Sequence, residues 1–374
     1  MNGRERVEAV IKGIVPDRVP VMCQLSAGHV IKNSGLPPAE YYLNYNDVVT
    51  DAISNLVFKY GFDGAIMEAP GFDMELAKSQ VDKIIDESNG QLIVWKNGDK
   101  TFCPINDYPI FRPKVKPVKK TIHEIKASDM MHNAGYTKKL NELPEYFMAP
   151  YRRILEKIGE THSIHGYFVT PLSLFIHTLG IEEALMSMLE YPEICIALLN
   201  EVANGCIQWS DNLIDSGIPI IGISAPYEGR GFMSLGMYEE FGFPTVKKII
   251  NHIKARGIPT YTHMCGSIND RLEKIVETET DGIECLDPYP LGNVELEDAI
   301  KRIGDKVFIK GNMDSVNTLL MKTPAEVYDD AVARIKIAGP TKRYILSSAC
   351  SVSPDTPEEN LKILVKAAED YGRY

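Results

Sequence analysis

Residues Pro259–Cys285 read PTYTHMCGSINDRLEKIVETETDGIEC. A short β-branched run, Pro259 to Thr262, ends in His263-Met264-Cys265-Gly266. An amphipathic stretch from Ile268 to Thr278 follows, and a second short run, Gly282 to Cys285, completes the unit. Two strands joined through a helix cannot pair as a hairpin; the crossover makes them parallel neighbours in one sheet.

The unit repeats in both directions. Ile164 to Val169, Ile218 to Ile223, Val307 to Lys310 and Tyr344 to Ser347 read as further strands. Ile181 to Leu189, Glu193 to Ser216, Tyr238 to Arg256, Val294 to Ile303 and Pro324 to Ala338 read as the helices, with apolar residues three and four apart. Arg18 to Met22 and Ala65 to Met67, the latter after a helix through Asn46 to Tyr60, bring the strands to eight. Eight strands with intervening helices predict an α/β fold, a (β/α)8 TIM barrel with an N-terminal extension. Periodicity alone leaves an open doubly wound sheet as the alternative, although no glycine-rich dinucleotide fingerprint follows the first strand. A single domain over residues 1–374 is expected. Ser79 to Pro113 breaks the pattern: Ile84 to Glu87 and Gln91 to Trp95, joined through Ser88-Asn89-Gly90, predict a β-hairpin insertion at one barrel end. Pro113 to Pro117 reads as an extended, solvated connection.

Composition narrows the function. Forty Lys and Arg against 51 Asp and Glu leave a net charge of -11, and the basic residues between Lys114 and Lys120 are too few to track a phosphate backbone, so nucleic acid is not an expected partner. No run of apolar residues approaches a membrane span, and Met-Asn-Gly-Arg-Glu-Arg opens neither a signal nor a transit peptide, so a cytoplasmic protein is expected. Seven scattered cysteines do not make a disulfide framework; they are expected reduced, each a buried small hydrophobe unless its neighbours say otherwise.

In a parallel barrel the chemistry sits just past the carboxyl ends of the strands. There lie His263 and Cys265 after one strand and Cys350, 85 residues beyond Cys265, after another. A lone His-x-Cys is weak evidence, since a histidine at a strand end often only satisfies a backbone carbonyl. One imidazole and two thiolates nevertheless suit Zn2+, and three protein ligands leave a fourth position for substrate, as catalytic sites require. Glu68, Asp287 and Asn312, with Tyr227, Glu228 and Asp314, also fall at predicted strand ends, where they would complete the metal shell, hold the histidine tautomer or orient substrate. The plainer expectation for Asn312 and Asp314 is a helix cap, and for Glu228 a solvated loop charge. Cys285, between apolar neighbours, is expected to be a buried thiol.

Thr262-His263-Met264-Cys265-Gly266, Thr280-Asp281-Gly282-Ile283-Glu284, Lys310-Gly311-Asn312-Met313-Asp314 and Ile345-Leu346-Ser347-Ser348-Ala349-Cys350, running into Pro354-Asp355-Thr356-Pro357, resemble the C-terminal half of the uroporphyrinogen decarboxylase superfamily. Arg4-Glu5-Arg6-Val7 to Pro16-Asp17-Arg18-Val19-Pro20 is similar more loosely. Within it, His-x-Cys with a distant Cys resembles the zinc motif of the corrinoid-dependent methyltransferases, including the methylcobamide:coenzyme M branch. The resemblance implies a zinc-dependent enzyme moving a methyl group between a corrinoid (cobalamin) on a partner carrier protein and a small thiol, methoxy or methylamine compound. The chain shows no Asp-x-His-x-x-Gly cobalamin signature of its own. True decarboxylases are similar to one another in an Arg-Gln-Ala-Gly-Arg loop; here Cys23-Gln24-Leu25-Ser26-Ala27-Gly28-His29 stands instead, without the arginines a polycarboxylate needs. Decarboxylation, or a non-enzymatic barrel that binds a corrinoid protein, are the alternatives, and a monomer or homodimer is expected.

Overall fold

A computed structural model describes residues 1–374. Eleven strands follow one another: β1 (Gly64–Met67), β2 (Val81–Glu87), β3 (Gly90–Trp95), β4 (Lys100–Pro104), β5 (Ile110–Arg112), β6 (Ser163–Val169), β7 (Ile220–Ser224), β8 (Thr260–Met264), β9 (Gly282–Cys285), β10 (Phe308–Met313) and β11 (Tyr344–Ser348). Seven of them, β1 and β6 to β11, form a curled parallel sheet in sequence order, with helices between consecutive strands. The longest helix, Pro192–Asp215, buries Cys195, Leu199, Val202, Cys206, Trp209 and Leu213.

The expected strand Arg18 to Met22 is not a ladder strand. Pro20 has no N–H to give, and the segment is held by two hydrogen bonds on each side. The Leu346 N–H donates to the Pro20 carbonyl (2.9 Å) and the Met22 N–H to the Leu346 carbonyl (3.0 Å), against β11. Towards β1, the Asp63 N–H donates to the Val21 carbonyl (2.8 Å), while the Val21 N–H is taken by the Asp63 carboxylate (2.7 Å). Arg6 and Arg18 both donate to that carboxylate.

Inside the sheet, register dictates a floor. Tyr167, Gly222, Tyr261, Gly282 and Phe308 lie side by side across β6 to β10. Large and small alternate because the space is shared: a Cβ on Gly282 would meet the Phe308 ring at 2.3 Å, and one on Gly222 the Tyr167 ring at 2.5 Å. Helix Gly3–Ile11 closes this end from below, its Val7 and Val10 packing with Tyr167, Tyr261 and Phe308.

Two expectations need correction. The insertion is a four-stranded antiparallel sheet, β2 to β5, and not a hairpin: after the anticipated β2–β3 pair the chain turns at Gly98 (φ 90°) and adds β4 and β5. The helix expected over Ile268 to Thr278 contracts to Leu272–Val276, because the preceding loop is tied down by Arg271, which is fully buried and donates to the carbonyls of Glu228 and Met233. No single helix is long and apolar enough to cross a membrane.

Candidate metal centre

Three of the anticipated residues meet at the carboxyl end of the sheet. His263 is the penultimate residue of β8, Cys265 follows immediately, and Gly266 turns the chain away at φ 76°. Cys350 lies two residues past β11. One ligand atom from each of His263, Cys265 and Cys350 falls within 4.8 Å of the others. The imidazole is buried and the two sulfurs partly open, so the set has a covered base and an accessible front.

The strand register supplies what lies behind the histidine. His263 pairs across β8–β9 with Glu284, and Glu284 across β9–β10 with Lys310. The three side chains therefore form one row above the aromatic floor. The Nδ1–H of His263 donates to Glu284 Oε2 (3.0 Å), which fixes the tautomer and presents Nε2 to the sulfurs. Lys310 donates to the other oxygen of Glu284, and both partners are fully buried. Burial opposes a charged Glu284, yet Lys310 and His263 outweigh it and hold the carboxyl at about 2. Burial likewise opposes a protonated His263, but hydrogen bonds with Cys350 and Glu284 prevail and raise it to about 10. Hydrogen bonds from Cys265 and Cys285, with His263 beside them, lower the pKa of Cys350, while the bond to Cys350 raises that of Cys265.

Asp287 stands just past β9, where its Oδ2 accepts from the Gly266 N–H (2.7 Å) and the Cys285 thiol (3.2 Å). Its Oδ1 is buried without a partner, and burial raises its pKa. Cys285 is buried as expected, but beside the centre rather than remote from it. Cys285 and Leu286 both have positive φ, 93° and 58°, a conformation that costs about 1–3 kcal/mol per residue. Asn312 pins that bend: its Nδ2 donates to the Leu286 carbonyl (2.9 Å) and its Oδ1 accepts from the Arg334 guanidinium, so both of its polar groups are engaged within the protein. Asp314 accepts from the N–H groups of Val316 and Asn317, capping the turn after β10. Glu228 is not a solvated loop charge. It is fully buried with neither carboxylate oxygen hydrogen bonded, and desolvation raises its pKa to about 7. Tyr227 packs edge-on against His177 and Phe232.

Glu68 occupies a second setting, at the end of β1. Gln24 donates to its Oε1 (3.3 Å) and the Tyr108 hydroxyl to its Oε2 (2.6 Å). It lines a cavity of about 430 Å³ between the helices Ala27–Asn33, Pro38–Leu43 and Tyr45–Tyr60 and the roof made by β4 and β5. Sequence reasoning missed Glu284 and Lys310 as parts of the centre; the available signal was a single charge inside each of two otherwise apolar strands.

The uroporphyrinogen decarboxylase (URO-D) family profile matches residues 100–371. The methylcobamide:CoM methyltransferase MtbA of Methanosarcina acetivorans is 28% identical over 244 residues, covering 65% of this chain and 68% of that protein. A uroporphyrinogen decarboxylase of Prochlorococcus marinus is 26% identical over 226 residues, covering 58% and 61%. The chain thus matches roughly two thirds of the length of these relatives. A solved methyltransferase from Methanosarcina mazei shares the fold over 99% of both chains, with a TM-score of 0.73 at 18% identity. A profile match over most of the chain makes this chain a member of the uroporphyrinogen decarboxylase family.

Proposed function

We propose that the chain is a zinc-dependent methyltransferase that moves a methyl group between a corrinoid, delivered on a carrier protein, and a small thiol, methoxy or methylamine compound. The observation that carries this reading is the convergence of His263, Cys265 and Cys350 within 4.8 Å at the open end of the sheet. One nitrogen and two sulfurs form a borderline-soft set suited to Zn2+, and the orphaned Asp287 Oδ1 beside them is a buried acceptor that still needs a partner. The similarity to a methylcobamide:CoM methyltransferase supports the corrinoid.

Zinc bound there supplies Lewis acidity, activating a thiol as thiolate or improving an oxygen or nitrogen leaving group, while the cobalt chemistry belongs to the corrinoid. The chain's own residues do the positioning. Glu284 holds the imidazole with Nε2 forward, Lys310 keeps Glu284 ionised, and Asp287 fixes the Cys265-Gly266 turn through the Gly266 N–H. We read the segment around Val21, bonded to both β1 and β11, as the eighth stave of a closed TIM barrel, and residues 1–374 as one domain. Decarboxylation of a polycarboxylate is the weaker reading, because no basic side chain lines the cavity beside Glu68.

Metal analysis of protein purified without added zinc tests the proposal. The native chain should carry about one zinc ion and Cys350→Ser far less; equal content in both would sink it. Methyl transfer to or from free methylcobalamin or cob(I)alamin, screened over thiols, methoxyarenes and methylamines, then identifies the partner.

A further inference from the structure

The cavity beside Glu68 includes none of the metal-centre residues, and much of its wall comes from the part of the chain that precedes the family match. Leu25, Tyr41, Tyr42, Tyr45 and Phe72 all lie before residue 100. Its chemistry is one-sided. Six aromatic rings face it, those of Tyr41, Tyr42, Tyr45, Phe72, Tyr108 and Phe111. Phe72 stacks with Tyr42 (centroids 5.4 Å apart, planes at 29°) and with Tyr45 (6.3 Å, 19°), so the wall is prearranged as an aromatic shelf. The charged lining groups are Glu68 and Asp107; there is no Lys, Arg or His.

The cavity borders the elements that carry the metal ligands. Ile66 in β1 and Glu68 just after it both line the cavity, and Ile66 also packs against the floor cluster of Tyr167 and Tyr261. The Tyr167 ring lies 6.2 Å from that of His263. On the other side Leu25 bridges to Val352, two residues beyond Cys350.

We propose that this cavity is the substrate-binding site and that it takes an uncharged aromatic methyl ether bearing a ring hydroxyl; the assignment rests on the methyl-transfer reading above. An anionic thiol, such as a sulfonate, would meet two carboxylates and no cation. A one-carbon donor would leave most of the space empty, since 430 Å³ holds roughly a dozen waters at about 30 Å³ each. An aromatic ring fills it and stacks on the Phe72 shelf. Glu68 accepts bonds from Gln24 and Tyr108 and retains lone pairs for a phenolic hydroxyl.

The test is calorimetric titration of the full chain with 2-methoxyphenol, alongside 2-mercaptoethanesulfonate and trimethylammonium. Saturable 2-methoxyphenol binding is expected in the native protein and in Cys350→Ser alike, because the cavity needs no metal. Phe72→Ala should raise Kd about tenfold or more, and Tyr108→Phe about two- to tenfold. Tyr108 is a half-exposed roof residue, so that variant keeps the test open if Phe72→Ala fails to fold. Absence of 2-methoxyphenol binding at millimolar concentration, affinity unchanged by the folded variants, or tighter and Phe72-dependent binding of the sulfonate or the ammonium ion would each overturn the proposal. Arene binding to a chain that never loads zinc would instead defeat the metal reading and leave the cavity assignment standing.

Discussion

At the scale of single residues, Glu284 carries the most consequence, because it faces a histidine and a lysine at once. Glu284→Gln leaves Lys310 buried without its counterion and should cost about 3–5 kcal/mol in urea unfolding. It should also weaken metal retention about 10–100-fold in chelator competition. The double variant Glu284→Gln, Lys310→Met should recover stability but not metal affinity, separating the two roles. Glu228 gives a pH prediction. Its folded pKa of about 7 lies above its unfolded value, so its favourable contribution is full below about pH 4.5 and is lost as pH rises through 7. Glu228→Gln should therefore flatten stability across that window and stabilise the protein by about 3 kcal/mol above it, read from urea midpoints at pH 5 and 8. The three candidate ligands were legible in the sequence because residues past a strand end carry chemistry in any parallel barrel. Glu284 and Lys310 were not, since which residues of β8, β9 and β10 stand abreast is a matter of register, and that exists only once the strands pair.

At the scale of elements, β6 to β11 were legible because each is a short β-branched run between amphipathic helices. What escaped was set by single contacts. β4 reads Lys-Thr-Phe-Cys-Pro, too short and too bounded by proline to signal a strand until β3 lies beside it. The glycines of the floor test the layer directly. Gly282→Ala places a methyl group against the Phe308 ring and should destabilise by about 1–3 kcal/mol, with Phe308→Leu in the same chain restoring much of the loss. Urea denaturation of the single and double variants measures it; independent, additive losses would mean the two positions do not share one space.

Over the whole molecule, the segment between the two ends of the sheet is held by backbone hydrogen bonds and by one carboxylate. Asp63 ties Arg6 and Arg18 to the Val21 backbone, so Asp63→Ala should cost about 3–5 kcal/mol. Amide exchange should rise first at Val21, Met22 and Leu346, where β11 meets the joining segment. Uniform exchange across all strands would mean that the sheet does not depend on that junction. The buried row behind the mouth has one more consequence, for the choice of ion. In the proposed centre Lys310 cancels Glu284, His263 as a ligand would be neutral, and Cys265 and Cys350 as ligands would both be anions, so the three ligands together would carry a double negative charge. A divalent cation leaves that interior electrically neutral, whereas a monovalent soft ion such as Cu(I) would strand one uncompensated charge away from water. If the proposed centre binds metal, its charge would sort ions by valence as well as by affinity for sulfur.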